Sequence, residues 1–403
     1  PTQGPHECGT TNRDPKTLSM NLLLIALDTL RADHLGCYGY HRNTSPFLDG
    51  CATTGVLFDR YFATTVPTHP SFATLFTGMD AYGHQVTNVK GEHVPSEDIP
   101  FLAEVLRDAG YQTASVDTMG LWMTRGFDVY ADPGYHVTNE PTYHTGFGRP
   151  RQDKHFGSAV TARAREVMDG FDRSRPFFLF CHYWDPHQPY YPPAPYDQLY
   201  YNGDPRDPAH RSMKPLWAFS AKRPWTDKWM DPEATDAEYW VAQYDAEVAY
   251  ADNQVRALCA AMERSNLWDD TLVVVLSDHG EILDEHPGQF DHEGLYDANV
   301  RVPLLLRFPD GRHAGTRVAG MATNLDVMPT LLELLDVECP TTVTGRSLLP
   351  LIRGQAADLQ HEVYLAEGTW QCKRGLRTHE WKFISALSDT PQHNWHGEAP
   401  REL

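Results

Sequence analysis

A chain of 403 residues is long enough to bury a large core and to fold as about two structural units. Its 34 Lys and Arg against 54 Asp and Glu leave a formal charge of −20, which disfavours nucleic acid and anionic membranes as partners and leaves carboxylates to hold cations. The best apolar run, Asn21–Leu27, is strand-sized and far short of a membrane span, so no membrane association is expected.

Residues 1–19 are polar and rich in Gly, Pro and Thr, and read as a flexible extension without a signal peptide. Asn21–Leu27 has the continuous apolar pattern of a strand buried on both faces, ending at Asp28. A helix near 45–52 and a strand over Val56–Phe62 lead to Val66-Pro67-Thr68-His69-Pro70-Ser71, where a second helix begins with a hydroxyl at its mouth; Gly78 stops it. This stretch also reads as an ordinary helix capped by Thr68 or Ser71. A helix near 100–109, a strand at Gln112–Val116, a helix at 156–171 and a strand at 176–182 follow. Residues 188–235 are dense in Pro, Tyr and Trp, including Tyr190, Tyr191, Tyr200, Tyr201, Trp217, Trp225 and Trp229, and form an expected insertion. A long helix at 235–265, a strand over 271–277 ending in Asp278–His279–Gly280, a strand at 303–308 and a helix at 325–335 complete an alternating pattern. That pattern predicts an α/β fold with a mostly parallel central sheet sandwiched by helices. Short strands at 363–367, 373–378 and 381–384 predict a small C-terminal antiparallel sheet. The expected organisation is a catalytic domain over 20–355 and a subdomain over 356–403.

Cysteines at 8, 37, 51, 181, 259, 339 and 372 are scattered and show no CxxC pair. They argue against a disulfide framework or thiolate zinc site and for a reducing compartment, so a cytoplasmic location is expected. A homo-oligomer remains open.

In a parallel sheet Asp28, Asp278–His279 and Thr68 fall on one edge, where open α/β sheets bind ligands. Two carboxylates, an imidazole and a hydroxyl suit a divalent cation of the zinc or manganese kind better than calcium, with calcium and magnesium left open. Such a cation would lower the Thr68 hydroxyl pKa for attack on a transferred group. Read singly, Asp28 is equally a turn cap and His279 a satisfied neutral side chain.

Leu27-Asp28-Thr29-Leu30-Arg31-Ala32-Asp33-His34, Thr68-x-Pro70-Ser71 followed by Thr77–Gly78, Ser277-Asp278-His279-Gly280-Glu281 and Arg301-Val302-Pro303 resemble, in order, the motifs of the sulfatase branch of the alkaline phosphatase superfamily. The resemblance implies an alkaline phosphatase-like fold and hydrolysis of small-molecule sulfate, phosphate or phosphonate esters through a covalent intermediate. It also implies metal ligands at Asp28, Thr68, Asp278 and His279. Trp184-Asp185-Pro186-His187 is similar to the family's substrate-side histidine segment, so His187 is expected to contact the transferred group or protonate the leaving oxygen. His292 falls where sulfatases keep an active-site Lys; Asp291 is expected to orient it, or His292 joins a second metal site. Thr118 stands in the segment that contributes another sulfatase Lys, and Asn88 is a candidate hydrogen-bond donor to a non-bridging oxygen. Relatives commonly continue past the point where this chain ends, which leaves open that a final element is missing.

The departures from the pattern bear on substrate. Sulfatases carry a Cys or Ser that is converted to formylglycine, which Thr68 cannot become. Phe72 replaces the signature Arg, Thr29 the second carboxylate of an Asp–Asp pair, and His279 an Asn. These changes resemble the phosphonate monoester hydrolase and phosphodiesterase relatives. They imply a phosphoric or phosphonic ester hydrolase; a sulfatase without formylglycine and an anion-binding pseudoenzyme are the alternatives. Thr65, three residues earlier, is the rival nucleophile, but the interval to Thr77–Gly78 favours Thr68.

Overall fold

The computed structural model describes residues 20–88, 94–133, 157–220, 230–285, 290–368, 372–386 and 401–402. They form strands β1 (Asn21–Leu27), β2 (Val56–Phe62), β3 (Thr65–Val66), β4 (Gln112–Val116), β5 (Val129–Ala131), β6 (Phe177–Tyr183) and β7 (Thr271–Leu276). Then come β8 (Arg301–Val302), β9 (Leu304–Arg307), β10 (Thr316–Thr323), β11 (Glu362–Glu367), β12 (Lys373–Thr378), β13 (Lys382–Ala386) and β14 (Arg401–Glu402).

The large sheet has the order β10-β2-β9-β7-β1-β6-β4-β5, with β8 beside β2. β1 lies at its middle, parallel to β6 and β7. Alternate side chains of β1 enter opposite layers, as the period of a strand requires. Leu23, Ile25 and Leu27 join the core beneath the helices at 46–54, 157–169 and 237–264, whereas Leu22, Leu24 and Ala26 join the core beneath those at 68–77, 102–108 and 327–334. Leu22 to Leu27 are all fully buried, each leucine contributing about 1.5–3 kcal/mol relative to an exposed one. A strand buried on both faces pairs on both edges, and this brings Asp28 to the carboxyl edge between two neighbouring strand ends.

The mostly parallel sheet agrees with the sequence reading, but β9 runs antiparallel to both β7 and β2. β5 and β10 were not read as strands. The small sheet, β14-β13-β12-β11-β3, recruits β3, which pairs parallel with β11 immediately before Thr68. Phe62, Val66, Val363, Leu365 and Ile384 pack across this junction. Within the 188–235 stretch, Tyr190 and Tyr191 are buried against Tyr244 and Trp240 of the long helix, and Trp217 Nε1 donates to the Ala234 carbonyl at 3.0 Å. Trp225 and Trp229 lie outside the described residues, as does the extension at 1–19.

No described helix is long and apolar enough to cross a membrane. Six cysteines, all but Cys8, are described, and all six are free.

Candidate active site

Three loops at the carboxyl edge of the sheet meet. After Asp28 the chain turns at Thr29, whose φ of 57° is left-handed, a conformation rare for a β-branched residue. The turn is held by the long helix: the Tyr244 hydroxyl donates to the Thr29 carbonyl at 2.8 Å and accepts from Arg31 N–H at 2.9 Å. Thr29 N–H donates to Asp278 Oδ1 at 3.3 Å, tying the two strand ends together. Past β7, Ser277 Oγ accepts from Leu30 N–H and donates to the His279 carbonyl. Gly280 follows where a Cβ would stand 2.0 Å from the Ala298 carbonyl oxygen, so only glycine fits.

The helix Thr68–Thr77 supplies the third part, with Thr68 its first residue and no side-chain cap. Ser71 Oγ donates to the Asp278 carbonyl at 2.6 Å, and Asn324 Nδ2 donates to Ser71 Oγ at 3.1 Å. The helix mouth is thus pinned to the Asp278–His279 loop. Thr68 Oγ1 lies 3.1 Å from His279 Nε2, which is 3.3 Å from Asp278 Oδ2 and 3.7 Å from Asp28 Oδ1. His279 Nδ1 donates to the Gly280 carbonyl at 2.9 Å, leaving the Nε2 lone pair facing the carboxylates. All four residues are buried.

Asp28 Oδ1 and Asp278 Oδ2 make no hydrogen bond, a costly condition for buried carboxylate oxygens. One donor atom from each of Asp28, Asp278 and His279 falls within 4.8 Å of the others. This donor set fits a divalent cation of the zinc or manganese kind. Burial and the Asp28 charge push the Asp278 carboxyl up to about 6. Asp28 is held below the usual carboxylate range: burial opposes this, but the hydrogen bond from His182 and the neighbouring imidazoles outweigh it.

His182, at the end of β6, was read from sequence only as a strand residue. Its Nε2 lies 3.2 Å from Asp28 Oδ2 and its Nδ1 2.9 Å from Asp117 Oδ1, while Tyr130 donates to Asp117 Oδ2 at 3.0 Å. Burial pulls the His182 pKa down, but the two carboxylates raise it to about 10, so the ring is an imidazolium bridging them. Phe72, in place of the signature Arg, covers this ring edge-on at 5.0 Å between centroids. A histidine ending a strand adjacent to β1 was the available signal.

His187 and His292 flank the cluster, their rings 5.0 Å apart, with His292 4.9 Å from the His279 ring. Burial lowers the His187 pKa to about 4, and its Nδ1 donates to the Gln188 carbonyl at 2.6 Å, so His187 is neutral. In that state Nε2 presents a lone pair, an acceptor and not a donor. His292 Nδ1 lies 3.4 Å from Glu281 Oε1 and 3.6 Å from Asp291 Oδ1. Thr118 is half-buried in the bend after Asp117. Asn88 is half-buried on the loop where the Thr87 carbonyl packs against Gly368. Thr65 Oγ1 faces Thr74 Oγ1 at 3.0 Å, within β3. Among the described residues no hydrogen bond joins its side chain to the cluster. His69 packs edge-on against Trp122.

The model of the sulfatase family matches residues 20–337, which is most of the chain. The chain belongs to the sulfatase family. A model for the C-terminal part of N-sulphoglucosamine sulphohydrolase matches residues 284–397. The chain is 24% identical to N-acetylglucosamine-6-O-sulfatase of Bacteroides thetaiotaomicron, covering 93% of this chain and 80% of that protein. It is 26% identical to the multifunctional alkaline phosphatase superfamily protein PehA of Trinickia caryophylli, covering 93% and 82%. The solved phosphonate monoester hydrolase of Agrobacterium radiobacter superposes with a TM-score of 0.73 at 21% identity, over 94% of this chain and 90% of that one. The molecule is a sulfatase-family hydrolase with an alkaline phosphatase-like fold.

Proposed function

We propose that this hydrolase is a metal-dependent phosphodiesterase or phosphonate monoester hydrolase of small-molecule esters, acting through Thr68 and a covalent phosphothreonine. The observation that carries this reading is a threonine hydroxyl 3.1 Å from His279 Nε2 and beside two unpaired buried carboxylate oxygens. A threonine cannot become the formylglycine whose hydrate sulfatases use, whereas its oxygen is a competent nucleophile towards phosphorus. The names of two relatives, a multifunctional alkaline phosphatase superfamily protein and a phosphonate monoester hydrolase, support a phosphorus substrate.

Asp28, Asp278, His279 and Thr68 would hold the cation, which when bound lowers the hydroxyl pKa and offsets charge on the transferred group. Thr68 Oγ bonds to phosphorus as the ester P–O bond breaks, its electron pair leaving with the alcohol oxygen. The uncapped N–H groups of the helix mouth favour the anionic group. His292, Thr118 and Asn88 are assigned to the non-bridging oxygens as charge develops. Water then attacks phosphorus and frees Thr68.

A second reading, sulfuric ester hydrolysis, is favoured by the name of the N-acetylglucosamine-6-O-sulfatase relative. Assay of the purified, metal-analysed protein on a bis-aryl phosphate, an aryl phosphonate and an aryl sulfate separates the two. The proposal expects phosphorus esters to turn over with the higher kcat/KM. Dominant sulfate turnover would sink it, and no turnover with any common divalent metal would make the chain an anion binder.

A further inference from the structure

Beside the Thr68 cluster lies a second set of buried donors. The backbone bridge between Ile282 and Asp291, with N–H to carbonyl distances of 2.9 and 3.0 Å, brings Glu281 against Asp291 and His292. Arg31 Nη1 donates to the Glu281 carbonyl at 3.1 Å, and Asn299 Nδ2 donates to the carbonyls of His292 and Gly294, both at 2.7 Å. The three backbones are therefore fixed independently of any ion. Donor atoms of Glu281, Asp291 and His292 lie within 4.8 Å of one another.

Glu281 is fully buried beside the Tyr190 hydroxyl, yet neither of its carboxylate oxygens makes a well-formed hydrogen bond, and His292 Nδ1 makes none. The separations of 3.4 and 3.6 Å from His292 Nδ1 to Glu281 and Asp291 are long for hydrogen bonds. They match the spacing of about 3.4 Å between two donors held tetrahedrally at about 2.1 Å from one zinc-sized cation. The first cluster has the same signature, 3.3 Å from His279 to Asp278. Among the described residues, Asp28, Asp278 and Glu281 pair with no lysine or arginine through their side chains.

We propose that Glu281, Asp291 and His292 hold a second divalent cation, of the zinc or manganese class, so that the active site is dinuclear. This rests on the phosphothreonine reading above, because it supplies what an unmodified threonine lacks. A formylglycine hydrate can expel its group by collapsing to the aldehyde, whereas a phosphothreonine must be hydrolysed. In that step a water oxygen bonds to phosphorus, the Thr68 Oγ–P bond breaks with its electron pair left on Oγ, and Oγ takes up a proton from the water. A cation on Glu281, Asp291 and His292 contributes the activating charge for that water.

The test is metal stoichiometry. Chelator-stripped protein is titrated with Zn2+ and with Mn2+ by calorimetry, and bound metal is counted by mass spectrometry after buffer exchange. Wild type is expected to bind two equivalents, and Glu281→Gln and Asp291→Asn about one each with the Thr68 cluster filled. Saturation of wild type at one equivalent, or two equivalents retained in both variants, overturns the second site. Glu281→Gln incubated with bis-aryl phosphate is further expected to accumulate phosphothreonine, read by intact mass. Phosphothreonine with one equivalent in wild type would remove the second site and leave the phosphothreonine reading standing. Two equivalents in wild type with one in each variant, but no phosphothreonine, would keep the site and remove that reading.

Discussion

His182 Nε2 lies 3.2 Å from Asp28 Oδ2, and the two belong to neighbouring parallel strands in which Ala26 is opposite His182. The strand register therefore sets the orientation of the Asp28 carboxylate, a proposed metal ligand. Asp117 does the same for the imidazolium, at 2.9 Å. Asp28 Oδ1 makes no hydrogen bond while Oδ2 is held from behind.

His182 should act as a positioning residue. His182→Asn is expected to weaken divalent-metal binding about 10- to 100-fold, as loss of a ligand's hydrogen-bond partner typically does. Calorimetry on the stripped protein measures it. A change in melting temperature with unaltered metal affinity would mean that His182 only packs the core.

Thr68→Ala should lose at least ~10³-fold in kcat on the preferred ester, in line with removal of a nucleophile. Thr65→Val should keep activity, because the Thr65 hydroxyl faces Thr74 and not the Asp28–Asp278–His279 cluster. Steady-state kinetics on both variants, each checked for bound metal, test this; activity that survives Thr68→Ala would overturn the nucleophile assignment.

Gly280→Ala should displace the Asp278–His279 loop, since the new Cβ would lie 2.0 Å from a backbone oxygen that cannot yield. The expected cost is about 1–3 kcal/mol of stability. Metal affinity should fall with it, as the His279 ring is held by the Gly280 carbonyl. Thermal melts and metal titration of the variant measure both.

His84 gives the stability a pH dependence of known sign. It is buried, its Nδ1 accepts from Val86 N–H, its Nε2 donates to Thr74 Oγ1, and burial lowers its pKa from 6.5 to about 4. Above pH 6.5 both folded and unfolded chains carry it neutral and nothing is lost. As pH falls from 6.5 towards 4 the unfolded chain takes a proton that the folded chain refuses. Stability then drops by up to about 3 kcal/mol from this residue. Denaturant melts between pH 7 and about 4 should show a steeper decline for wild type than for His84→Gln.

The sequence was most legible where a pattern was local. β1, β2 and β4 occupy the residues expected, because apolar runs bounded by polar residues leave little latitude. β10 was missed because Thr316–Thr323 lies at an edge and carries Gly320 where the Ala357 carbonyl would clash with any Cβ. The antiparallel direction of β9 leaves no mark in Leu304–Arg307, whose leucines are buried whichever way the strand runs. In the site, Asp28 and Asp278–His279 were readable as strand ends. His182 was not, since its role depends on which strand adjoins β1. Nor was the convergence of Glu281 with Asp291 and His292, which a single backbone bridge creates across ten positions of sequence.

The measurement that bears most directly on the central claim is the covalent state of Thr68 during turnover. Wild-type protein holding its metal is mixed with an aryl phosphonate or bis-aryl phosphate, quenched in acid, digested and mapped by mass spectrometry. A phosphoryl or phosphonyl group on Thr68, formed and lost at rates compatible with kcat, is the result predicted. Turnover with Thr68 unmodified at every time point, or with the group on Thr65, would contradict it.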